Sequence, residues 1–194
     1  MTTPGPTPSQ TVGPFQSMRL GGEGQNFLAG PGVAGRRIRI EGRVLDGDRN
    51  HIEDAIIEIW QANAAGRYRH PGDHRGDLAV DPGFTGFGRA STDFATGAYW
   101  FETVLPGPVP EPEGEDQAPH INVIVQGRGM LNPTFTRIYF SDQDQANAAD
   151  LVLAMVPPQR RHTLIAELVD DGDPSVYRFD IRFQGEDETV FLDF

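Results

Sequence analysis

Between the glycines and prolines of this chain, apolar residues recur at every second position. In Tyr177-Arg178-Phe179-Asp180-Ile181-Arg182-Phe183, four apolar side chains fall on one face and charges on the other. Ile38, Ile40 and Val44 alternate in the same way with Arg37, Arg39, Glu41 and Arg43. A period of two is the signature of half-buried strands. The 23 Gly and 16 Pro supply the turns between such strands. Further strands are expected at 55–60, 88–92, 98–104, 120–125, 135–140, 162–169 and 189–192. Asp46-Gly47-Asp48 and the Asp93–Gly97 segment are the turn chemistry between the early ones. Ser141-Asp142-Gln143-Asp144 offers a cap for one helix to about residue 149, and Pro158–Arg161 a single short turn.

About eight short strands and one helix imply a mainly β fold, a two-layer antiparallel sandwich with long loops. Two loops stand out. Residues 61–87 are too rich in Gly, Pro and Asp for regular structure, and Pro106–Pro119 carries five prolines. A loop that long inside a compact domain is usually functional or descended from something functional. Residues 1–35 read as an extended Pro/Gly/Ser-rich arm that takes its order from other surfaces, and 36–194 as one domain.

Composition removes several function classes. The chain has no Cys, hence no disulfide, thiolate nucleophile or Cys-ligated metal. No run of about 18 apolar residues spans a membrane and no secretory h-region opens the chain, so a cytoplasmic protein is expected. The net charge of −12 opposes nonspecific nucleic-acid binding. All 16 basic residues are Arg, whose planar fork suits carboxylates and interface ion pairs. No Gly-x-Ser-x-Gly elbow and no phosphate-binding Gly-Lys-Ser/Thr loop occurs. His70 and His74 flank Pro71-Gly72, so no helix aligns them as a metal pair.

Three segments carry a family resemblance: Gly66-Arg67-Tyr68, Pro106-Gly107-Pro108-Val109 and His120-Ile121-Asn122. In this order they resemble the ligand segments of the intradiol ring-cleaving dioxygenases, which hold non-haem Fe(III) with two tyrosines and two histidines. Tyr68 and His120 match two ligand positions; Val109 stands at the second tyrosine and Asn122 at the second histidine. Gln117 stands where catalytic chains have an arginine. The resemblance, from about Pro8 to the C-terminus, is to the α type of chain in this family, which keeps the fold without the metal. It implies no cofactor in this chain and Fe(III) in a β-chain partner, within a higher (αβ) oligomer. That assembly would use O2 to cleave protocatechuate to 3-carboxy-cis,cis-muconate in the β-ketoadipate route. It also implies two segments that reach the partner's substrate cleft. One is Thr11-Val12-Gly13-Pro14-Phe15. The other is Gly127-Arg128-Gly129, with Arg128 as anchor for the substrate carboxylate. Two readings stay open beside it: a metal-free transthyretin-like binding module without a catalytic partner, and a self-sufficient dioxygenase with its own iron.

Overall fold

A computed structural model describes residues 5–13, 22–110 and 116–193. Strands β1 (Arg37–Leu45), β2 (Ile56–Gln61), β3 (Phe87–Ser91), β4 (Ala98–Val104), β5 (Ile121–Gln126) and β6 (Thr134–Phe140) follow the alternating runs closely. After them come helices α1 (Asp144–Ala149) and α2 (Leu151–Met155), a 3-10 helix (Pro158–Leu164), and strands β7 (Ile165–Asp170), β8 (Ser175–Arg178) and β9 (Ile181–Arg182). The strands form one path, β3-β2-β5-β6-β7-β8-β1-β4, with β9 beside β1. Only two residue pairs join β6 to β7, Tyr139 with Ile165 and Phe140 with Ala166. The path folds there into two layers. Ile57, Ile59, Val123 and Val125 from one layer share a single buried cluster with Ile38, Ile40, Tyr99 and Phe101 from the other. Leu28, N-terminal to β1, is fully buried in the same cluster.

Several details depart from the alternation. Most pairs are antiparallel, but β1 runs parallel to β8 and β9, and β6 to β7. The expected cap before α1 is not used: Gln143 is the N-cap and makes no side-chain bond. Asp150 instead caps α2, an unexpected helix, by accepting from the Leu153 amide. The 3-10 helix runs to Leu164, so β7 starts three residues later than the expected strand at 162. Residues 189–192 make no ladder; the Leu192 amide donates once to Phe135 O.

The longest alternating run is also broken, between Arg178 and Ile181. Gly42 explains the break. A Cβ there would sit 1.8 Å from Phe179 O, so only a glycine lets that carbonyl rest on β1. Tyr99, the ladder partner of Gly42, reaches across it and donates its phenol to Phe179 O at 2.6 Å. The Asp180 carboxylate then accepts from the Arg43 amide, taking the place of a backbone partner. Gly42→Ala is expected to destabilise the fold by about 2 kcal/mol or more, because the clash is with backbone that cannot move aside. Gly76→Ala, which meets nothing within 4 Å, is the control. Equal thermal midpoints for the two variants would contradict this packing.

Candidate functional site

The three ligand-like segments converge, and backbone contact brings them together. Gly66, at φ +79°, would place a Cβ 2.1 Å from Pro108 O. Gly107 would place one 2.5 Å from Ala64 O. With no side chains between them, the two loops touch, and the amides of Gly66 and Gly107 both donate to Asn63 O at 2.9 Å. This sets Tyr68 and Val109 on the wall of one cleft of about 600 Å³, together with Trp60, His70, His74 and Arg75. Val109 is fixed further by a pair of hydrogen bonds with the Gln117 backbone. The Tyr68 ring stacks on Trp60, with centroids 5.7 Å apart and planes 12° apart. Asp73 accepts from the Tyr68 amide and pairs with Arg75, which holds its carboxyl well below the usual range.

On the sheet side, Trp60, Asn122 and Arg137 form one cross-strand row through β2, β5 and β6. His120 sits just before β5, 1% exposed. Its Nδ1 lies 2.8 Å from Ala118 O, which can only accept, so Nδ1 carries the proton and Nε2 the lone pair. The Tyr68 phenol lies 3.5 Å from that Nε2 and accepts from Asn122 Nδ2 at 3.3 Å. Asn122 Oδ1 accepts from Arg137 Nε at 3.0 Å. Arg137 Nη1 donates to Gln117 Oε1 at 2.9 Å and reaches Tyr139 at 3.5 Å. Tyr139 donates to Asp150, whose other oxygen accepts from the Ala118 amide. The chain of bonds closes into a ring: Asp150, Tyr139, Arg137, Asn122, Tyr68, His120, Ala118.

These donors do not fit a ferric ion. Val109 has no donor atom, and the Asn122 oxygen is spent on a guanidinium, so its NH2 group faces the phenol. Two protein ligands, Tyr68 Oη and His120 Nε2, remain. Burial pushes the Tyr68 phenol up, against the pull of Arg137, so it stays protonated at neutral pH. The sequence motifs pointed to neither Arg137 nor Asp150. Arg137 shares with Tyr139 the face of β6 opposite Ile138 and Phe140, a face that the helices after the strand cover.

The second expected site lies elsewhere on the chain. Thr11 Oγ1 accepts from the Gly129 amide at 2.7 Å, so the arm and the Gly127-Arg128-Gly129 turn meet. Gly129 turns at φ +92°. Arg128 does not project freely: its Nε pairs with Asp54 at 3.0 Å, with the side chain 58% exposed. Its Nη groups bond nothing among the described residues. Gly13 lies in the described arm, exposed, with open space where a Cβ would point. Pro14 and Phe15 lie outside the described residues.

Burial, reinforced by Arg137, pulls the His120 imidazole down from its ordinary 6.5 to about 4. Between those values the unfolded chain binds a proton that the folded chain refuses. Stability is therefore complete above pH 6.5 and falls as pH drops through the window, by up to about 3 kcal/mol. The thermal midpoint is expected to drop between about pH 7 and pH 5 and to drop less in His120→Gln. Parallel midpoint–pH curves for the two proteins would contradict this.

A family model described as "Dioxygenase" matches residues 25–185. The protocatechuate 3,4-dioxygenase alpha chain of Burkholderia cepacia is 45% identical, covering 100% of both chains. The alpha chain of Pseudomonas putida is 41% identical over 97% of this chain and 96% of its own. The Burkholderia cepacia beta chain is 36% identical, over 80% of this chain and 67% of its own. Among solved structures, 3-chlorocatechol 1,2-dioxygenase from Rhodococcus opacus 1CP shares the fold, with a TM-score of 0.65 at 20% identity. That match covers 82% of this chain and 65% of the other. The chain belongs to the intradiol dioxygenase family, as a subunit of the protocatechuate 3,4-dioxygenase alpha type.

Proposed function

We propose that this chain is the non-catalytic α subunit of a protocatechuate 3,4-dioxygenase and that the working Fe(III) belongs to its β partner. The observation that carries the reading is an intact ligand scaffold with two of its four donors missing, at Val109 and Asn122. A chain built this way contributes through a surface. The β chain matched at 36% identity is the natural kind of partner, and a cytoplasmic αβ oligomer is the form in which both would act.

The surface is the junction of Thr11 with the Gly127–Gly129 turn. Thr11 and Gly13, continued by Pro14 and Phe15, would wall the partner's cleft, and Arg128 would supply its cation. The chain's net charge of −12 makes a placed local cation necessary for an anionic substrate. The Arg128–Asp54 pair is half exposed, and pairs of that kind are worth roughly 0–1 kcal/mol. A substrate carboxylate meeting the free Nη edge can therefore draw the guanidinium without a large penalty. A charge-assisted contact of this sort is worth about 1.5–3 kcal/mol.

Activity and iron are expected only when the two chains are produced together. In that complex Arg128→Ala is expected to raise KM for protocatechuate roughly tenfold or more, with a smaller change in kcat, because the anchor lies away from the reacting carbons. Unchanged kinetics in the variant would remove Arg128 from the cleft. Ring cleavage by this chain alone would remove the whole proposal.

A further inference from the structure

We infer that Arg137 is what bars a metal from this pocket: its buried guanidinium sets a positive charge behind position 122 and ties up the side chain there. The inference rests on the reading that the chain holds no iron and goes beyond it. The missing ligands alone would leave a polar pocket; Arg137, on the far side of Asn122, adds a fixed positive charge behind it.

Two physical features support the assignment. The first is charge. Arg137 is 9% exposed, and no carboxylate lies within ion-pair distance of it among the described residues. Its hydrogen-bond partners, Asn122 Oδ1, Gln117 Oε1 and the Tyr139 hydroxyl, are all neutral. The nearest acid in the ring of bonds is Asp150, one hydroxyl further away. The positive charge thus has no direct ion pair and lies one amide away from Tyr68. Arg137 lowers the proton affinity of both groups, as a nearby cation must. A ferric ion placed between them would meet that fixed charge in a low-dielectric surrounding.

The second feature is hydrogen-bond polarity. Arg137 offers only donors, so whatever stands at 122 must turn an acceptor toward it. Asn122 does so with Oδ1. A neutral histidine has one lone pair on its ring. At position 122 it would give that lone pair to Arg137 or to a metal, and not to both. An acceptor at 137, such as a glutamine oxygen, reverses the polarity: it takes the ring N–H and frees the other nitrogen. Restoring ligands is therefore insufficient while Arg137 remains.

The test uses the co-assembled αβ complex, with iron counted per αβ pair by elemental analysis and high-spin Fe(III) followed by electron paramagnetic resonance. Wild type is expected to hold one iron per pair, and Val109→Tyr/Asn122→His also one. Adding Arg137→Gln to those two changes is expected to give two, whereas adding Arg137→Lys, which keeps the charge, leaves one. Thermal midpoint and subunit stoichiometry report folding of each variant. If the Gln variant does not assemble, Arg137→Met in the same background replaces it. Two irons in Val109→Tyr/Asn122→His, or in that background with Arg137→Lys added, would overturn the inference. One iron in the folded Gln or Met variant would overturn it too. Two irons in wild type would instead overturn the metal-free reading beneath it.

Discussion

A buried guanidinium has to be given acceptors, and much of the site is arranged to do so. Leaving a buried polar group without its hydrogen-bond partner costs about 1–3 kcal/mol, and more when the group is charged, which exceeds what a surface ion pair is worth. Arg137 on β6 therefore fixes Asn122 on β5, Gln117 in the proline-rich loop and Tyr139 two residues along its own strand. Tyr139 passes the constraint to Asp150, which also caps α2 and holds the Ala118 amide. Strand row, loop and helix start are thereby tied to one another.

In a metalloprotein of this shape the ion itself would cross-link the loops that supply its ligands. Here other contacts do that work. Gly66 and Gly107 put two loops in backbone contact, and the ring from Asp150 to Ala118 joins the strands to them. Scaffold and ligand set are separable in physical terms: one depends on backbone approach, the other on four side-chain atoms. A chain can lose donors and keep its surface, including the edge where Thr11 meets the Gly129 turn. The proposed role, a metal-free subunit that shapes a neighbour's cleft, requires that separability.

The strands were legible because burial follows the pleat: Ile38, Ile40, Val44, Val123 and Val125 are buried as their alternation requires. The ligand segments were legible through the family resemblance, and Gly66 and Gly107 within them stand where backbone approaches too closely for a Cβ. Pairing direction was not legible, since the parallel contacts of β1 with β8 depend on how the layers fold over one another. Helix α2 is five residues long and apolar, too short to show a period. The break in the Tyr177–Phe183 run came from Gly42, more than 130 residues away in sequence. Arg137 escaped notice because an Arg in a strand usually faces water, and only the fold shows that both faces of β6 are covered. The pairing of Arg128 with Asp54 was not legible, because it needs the two turns side by side, which sequence distance hides.

The central claim is that this chain keeps the shape of a ferric site but not its chemistry. The most direct measurement is an anomalous-difference map at the iron absorption edge from crystals of the αβ complex. The expected map has a peak within each β chain and no peak between Tyr68 and His120. A peak at that second position, at comparable height, would contradict the account.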